Sequence, residues 1–260
     1  MPATDLAVVE LCRYALRPGR RDDLISMFDA HFIESQEACG MVPVGHFRDL
    51  EDPDIFVWFR GFTDMTTRRA ALECFYTSPA WLERQDAANA TMLDSDNVLL
   101  LRAARAGSGF DLAGLARPTA TGSRPASWVG LAVLMLDGPA DESFVRAFDA
   151  EVLPALGSRS SRIAHLVTNE STNDYPALPV RSAEFAFVAA GACPTEGALD
   201  GWVAAFDPEA LPAAIESRSG AASCIDSGPR RGRSSASFFL KPRSHTYGMP
   251  GAVTATQIPT

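Results

Sequence analysis

The sequence predicts an α+β fold built from two copies of one β-α-β-β-α-β unit. Three observations carry that prediction. The stretches "DLISMFDAHF" (23–32) and "SFVRAFDAEV" (143–152) align without a gap at an offset of 120 residues. Each is preceded and followed by alternating, strand-like segments in the same order. Between the two copies lies "RAGSGFDLAGLARPTATGSRPAS" (105–127), whose Gly, Ser, Pro and Ala content reads as a linker.

In chain order, the first strand is expected over 6–16. Val9, Leu11, Arg13 and Ala15 share one of its faces, while Val8, Glu10, Cys12, Tyr14 and Leu16 share the other. The first helix carries an apolar stripe, Leu24, Phe28 and Phe32, widened by Ile25, and begins with Asp22 and Asp23, whose charge suits a helix N-terminus. A second strand, "VPVGHFRDL" (42–50), is joined by the turn "EDPD" to a third, "DIFVWFRGF" (54–62). Helical stretches at 66–76 and 79–93 lead to a last strand at 97–104. The second copy repeats the order with a strand at 128–136 and a helix whose stripe is Phe144, Phe148 and Val152. Strands at 161–169 and 183–191 follow, then helical stretches near 195–206 and 208–219 and a strand at 234–241. Here the second and third strands are separated by a longer loop, "ESTNDYPALPVRS" (170–182). Residues 244–260 show no period and are expected to form an extended tail.

This order defines the ferredoxin-like unit, four antiparallel strands with helices on one face. The domain reading is therefore 1–104 for the first unit, 105–127 for the linker, 128–243 for a diverged second unit and 244–260 for the tail. A sheet covered on one side leaves its other face available. Two such faces packed together would enclose the acid, thiol and phenol of Glu10, Cys12 and Tyr14.

Composition narrows the function classes. The 260 residues carry 23 basic and 32 acidic groups, a net charge of −9, so a nucleic-acid groove is disfavoured. Lys241 is the only lysine, which leaves no P-loop lysine. The five cysteines are widely spaced, without a zinc-type grouping, and read as reduced thiols in a cytoplasm. The longest apolar run, "WVGLAVLML" (128–136), is far shorter than the roughly 20 residues that span a bilayer, and the N-terminus has no signal-peptide pattern. The expectation is a cytoplasmic protein without membrane or nucleic-acid partners.

Through Glu10, Leu11, Arg13, Tyr14, Pro18 and Gly19, the stretch "VVELCRYALRPGRRDDLISMF" (8–28) resembles the opening pattern of the NIPSNAP family. "VGHFR" (44–48), "VWFRGF" (57–62), "RRAAL" (68–72) and "SPAWLE" (78–83) follow in family order. The resemblance covers roughly 5–103, and the second half shares the fold pattern rather than the motif. Cys12 stands where the family has arginine, and His46 where an aromatic often follows the glycine. The resemblance implies a dimeric α+β barrel, here in tandem form, and a fold that hosts several chemistries.

Strand parity places His46, Arg48, Trp58 and Arg60 on the same face as Glu10 and Tyr14. A histidine with a carboxylate suits proton transfer, and an arginine suits a developing anion. His46, Glu10, Tyr14 and Arg48 are the expected catalytic residues. Trp58, Arg60, Cys12, Trp128, His165 and Trp81 are the expected substrate contacts. No metal-ligand spacing or dinucleotide motif occurs. The leading expectation is a cofactor-independent cyclase, isomerase or monooxygenase acting on an apolar, aromatic or polyketide-like intermediate. The alternatives are a haem enzyme using His46 or His165, and a non-catalytic binding or scaffolding protein. A homodimer is expected to cover exposed sheet surface.

Overall fold

The computed structural model describes residues 6–112, 128–207, 209–219 and 236–242. Most of the expected linker (113–127), the expected tail and Cys224 lie outside the described residues. The first unit runs β1 (Val8–Leu16), α1 (Arg21–Met27), a π-helical turn (Phe28–Phe32) and α2 (Ile33–Ala38). It continues through β2 (Val42–Asp49), β3 (Ile55–Phe62), α3 (Met65–Tyr76), α4 (Pro79–Leu82), α5 (Gln85–Asn89), β4 (Met92–Asp94) and β5 (Val98–Ala103). The second runs β6 (Trp128–Leu136), α6 (Glu142–Ala147), a second π-helical turn (Phe148–Val152), α7 (Leu153–Gly157) and β7 (Ser161–Thr168). β8 (Phe185–Cys193), α8 (Glu196–Ala204), α9 (Ala213–Glu216) and β9 (Ala236–Pro242) complete it.

Local chemistry fixes the element ends. The side chains of Asp64, Asp141 and Thr195 accept from backbone N–H groups in the first turns of α3, α6 and α8. The helix expected over 79–93 is instead α4, α5 and the short β4. The Thr91 hydroxyl donates to the Ala88 carbonyl at 2.7 Å where α5 ends. The helix expected over 208–219 shortens to α9, because Pro212 stands at its N-cap.

Within each unit the strands lie in the order fourth, first, third, second: β5-β1-β3-β2 and β9-β6-β8-β7. β5 pairs with β7, β2 pairs with β9, and β1 pairs with β3. Eight strands therefore close into one barrel within a single chain, and β4 adds a short ladder at the end of β1. Closure satisfies the long strand edges internally.

The two faces of the sheet are reversed from the sequence expectation. Val9, Leu11, Val57, Phe59, Leu99 and Leu101 point into the barrel, where they meet Val129, Leu131, Val133, Leu166 and Val188 of the second unit. Cys12, Tyr14, Phe56 and Trp58 point outward and pack under the helices with Leu24, Phe28, Phe32 and Phe75. An eight-stranded barrel has an interior just wide enough for side chains to fill. The void lined by Leu11, Val57, Leu131 and Val133 amounts to about 10 Å³, room for at most one water. Among the described residues the barrel interior is thus filled by side chains rather than open to a substrate. The start of the expected linker adds to this filling: Phe110 and Leu112 are buried in the barrel core, and Phe110 meets Phe59 edge-on at 5.1 Å.

Candidate functional site

Under the helices of the first unit lies a fully buried charged network. Glu10 on β1 stands opposite Arg60 on β3 in the ladder, and Arg60 Nε donates to Glu10 Oε2. Arg68, on the buried face of α3, donates from Nε to Glu10 Oε1 at 2.7 Å. Burial would raise the Glu10 pKa, but Arg60 and Arg68 together hold it below the usual carboxylate range. Arg68 also reaches the second unit, pairing with Asp174 and donating to Asn173 Oδ1 at 3.1 Å. The 170–182 loop therefore closes over the first unit. Its Tyr175 ring stacks on Tyr76 with centroids 6.2 Å apart, and the Arg181 N–H donates to the Val98 carbonyl at 2.8 Å.

Beside this network is a cavity of about 130 Å³ between the sheet and the helices. Trp58 and Arg60 form its sheet wall, Phe28, Phe32 and Gln36 its first-helix wall, and Phe75, Tyr76 and Trp81 its second-helix wall. Tyr14 also lines it, and Ala177–Pro179 of the second unit contribute to the covering side. Three of its lining residues hold a buried polar atom without a hydrogen-bond partner: Trp58 Nε1, Arg60 Nη1 and Gln36 Oε1. Burial raises the pKa of Tyr14 and, against the pull of Arg60, that of Tyr76, so both are neutral phenols. Burial likewise pushes the Cys12 thiol up to about 12, which excludes a thiolate nucleophile at neutral pH. The chemistry available in this cavity is cationic stabilisation by Arg60, hydrogen bonding from neutral groups that include Asn89 and Ser95, and one lining carboxylate, Asp96.

The expected site residues are divided by this geometry. Tyr14, Trp58, Arg60 and Trp81 line the cavity, and Glu10 anchors Arg60 from behind. His46 does not join them: its Nε2 lies 2.9 Å from Asp29 Oδ1, and its ring packs against Phe28 and Phe56. Arg48 is paired with Asp22 near the surface. His165 repeats the His46 arrangement in the second unit, with Nε2 3.1 Å from Asp149 Oδ1 and its ring against Phe148 and Phe187. Both acids sit in the matching π-helical turns, so the pair is a duplicated fastening between helix and sheet. Trp128 packs on the second unit's helix-side core. The haem alternative needs an axial histidine at the cavity, and neither His46 nor His165 lines it. Among the described residues no cluster of His, Cys, Asp and Glu could hold a metal ion.

Sequence reading missed Gln36, Arg68, Tyr76 and the 173–179 contribution. It also read every cysteine as reduced, whereas Cys39 and Cys74 form a disulfide joining the end of α2 to α3, the two helical walls of the cavity. Their separation of 35 residues carries no motif that would have revealed the pair.

Among the described residues the second unit has no equivalent of the charged network. Opposite one another, where Glu10 faces Arg60, stand Gly130 and Gly191. Trp202 of α8, fully buried, occupies the freed space. A Cβ on Gly130 would come within 2.4 Å of its ring, and one on Gly191 within 2.7 Å. The same fold thus stands without the charges, so Glu10, Arg60 and Arg68 are not demanded by the architecture.

Fold and site together define a single-chain α+β barrel with a sheet-to-helix cavity in its first half. Residues 9–105, which span most of the first unit, match the NIPSNAP family model. Over the whole chain the fold is similar to that of a "putative monooxygenase" from Lactobacillus acidophilus NCFM, with a TM-score of 0.54 and 10% identity, covering 94% of this chain and 98% of that one. A second protein so described, from Fusobacterium nucleatum, gives a TM-score of 0.54 at 6% identity and covers 92% and 94%. A NIPSNAP family protein from Agrobacterium tumefaciens, with a TM-score of 0.36 and 18% identity, covers 39% of this chain and 91% of its own. No curated protein matches the sequence. Among the described residues no helix is long and apolar enough to cross a membrane.

Proposed function

We propose that the protein is a small-molecule enzyme of the monooxygenase type, acting without a metal or nucleotide on an acidic aromatic substrate in the first-unit cavity. The observation that carries this reading is the pairing of an aromatic-walled cavity with Arg60, whose charge is buried and fixed by Glu10. Arg60 holds the substrate's acidic group in a low-dielectric setting, and loss of a phenolic proton to water leaves a phenolate. An electron-rich phenolate can then react with dioxygen. One ring C–H becomes C=O, that oxygen comes from dioxygen, and the second leaves in water. The fold likeness to two proteins each described as a "putative monooxygenase" is consistent with this class. Isomerisation or cyclisation would begin with the same proton loss but would consume no dioxygen.

Oxygen uptake measured across a panel of phenols and hydroxylated polycyclic ketones, with labelled dioxygen, tests the proposal. Label in the product, lost in Arg60→Met and in Leu178→Trp, is the expected result. The second variant blocks the cavity from the covering loop and leaves the charged network intact. Product formed without oxygen uptake, or full uptake in both variants, would overturn it.

A further inference from the structure

We propose that the cavity is built for a single-ring aromatic ligand bearing one anionic oxygen group and one hydroxyl, the hydroxybenzoate class. This deepens the functional reading above and rests on the same cavity. The volume sets the ring count. An apolar protein cavity of about 150 Å³ accommodates benzene, and here the space is about 130 Å³.

The unpartnered atoms set the polar pattern. Buried polar groups are nearly always hydrogen-bonded, so three orphans around one cavity call for a common partner. Trp58 and Arg60 stand two residues apart on one strand face, with the guanidinium carbon 4.9 Å from the Trp58 ring centroid. Their free atoms, Nε1 and Nη1, are both donors, and one belongs to a cation. They suit an anionic oxygen. Gln36 Oε1, on the helix wall, is an acceptor and suits a hydroxyl. All three side chains are at most 2% exposed, so water in bulk does not satisfy them. Phe28, Phe32, Phe75 and Trp81 offer ring faces and edges to an aromatic body, and Asn89, Ser95 and Asp96 add polar groups elsewhere on the lining.

Calorimetric titration of the full chain with para-hydroxybenzoate, benzoate, toluene and a hydroxynaphthoate tests this. Para-hydroxybenzoate should bind best, and Trp58→Phe, which keeps a ring but removes the donor, should weaken both benzoates by about 10-fold or more, as expected for a hydrogen bond to a charged group. Gln36→Met should weaken para-hydroxybenzoate about 3- to 10-fold and leave benzoate unchanged, since only the hydroxyl loses a partner. Equal affinity for toluene, tighter binding of the naphthoate, or a Gln36→Met effect shared by both benzoates would overturn the inference. Oxygen uptake on the same samples separates the two readings. Binding of para-hydroxybenzoate without uptake of dioxygen by any panel member retains this ligand class and removes the oxygenase. Uptake supported by a larger or neutral aromatic, with para-hydroxybenzoate unbound, does the reverse.

Discussion

Replacing Glu10 by Gln should destabilise the first unit severely at neutral pH. The carboxylate receives both Arg60 and Arg68, and all three side chains are at most 1% exposed. The variant keeps the shape but leaves Arg60 without its counter-ion, while Arg68 retains Asp174, which is 24% exposed. Breaking a buried pair from one side costs about 3–5 kcal/mol. For a chain of this size each kcal/mol moves Tm by about 2–4 °C, so a fall of about 6–20 °C is expected. The pH dependence has a definite sign. Because the folded pKa of Glu10 lies below its ordinary value of 4.5, the wild-type advantage is complete above that value and is lost as pH falls through the folded pKa. Urea denaturation of both proteins at neutral pH and in a descending acid series checks both points. A neutral-pH loss under about 1 kcal/mol, or a gap that stays constant on acidification, would refute the reasoning.

Trp202→Ala should cost about 3–5 kcal/mol by urea denaturation, as expected for emptying a buried aromatic site, because Gly130 and Gly191 cannot refill the space. Reduction of Cys39–Cys74 should lower stability by up to about 3–4 kcal/mol on the chain-entropy account, with mass spectrometry confirming the reduced state; an unchanged denaturation midpoint would exclude a constraining bond. His46→Ala and His165→Ala should each lower stability by about 1–3 kcal/mol, since each removes a histidine–aspartate contact and a ring packed against phenylalanine. Oxygen uptake per folded molecule should survive in both, and its loss in His46→Ala alone would restore the histidine to the chemistry.

Much of the fold was legible in the sequence because helix stripes and strand alternation repeat at a fixed offset. Leu24, Phe28 and Phe32 recur as Phe144, Phe148 and Val152. Parity also correctly grouped Glu10, Cys12, Tyr14, Trp58 and Arg60 on one face. It could not say which layer that face meets. When a barrel closes on itself and helices cover its outside, both faces are buried, and the usual difference between wet and dry faces disappears. The acid and phenol were assigned to the barrel interior, but that space is filled by aliphatic side chains from both units. The partners of His46 were also beyond reach, because Asp29 lies on a helix and only the fold brings it within 2.9 Å. Asp174 and Leu178 come from the other unit, more than 100 residues from Arg68 in the case of Asp174, with no spacing rule to link them.

A crystal structure of the chain soaked with para-hydroxybenzoate tests the central claim most directly. The account predicts one molecule per chain, between the sheet and helices of the first unit, with its carboxylate at Arg60 and Trp58 and its hydroxyl at Gln36. A molecule lodged between the two sheets, or beside Trp202 in the second unit with the first cavity empty, would contradict it.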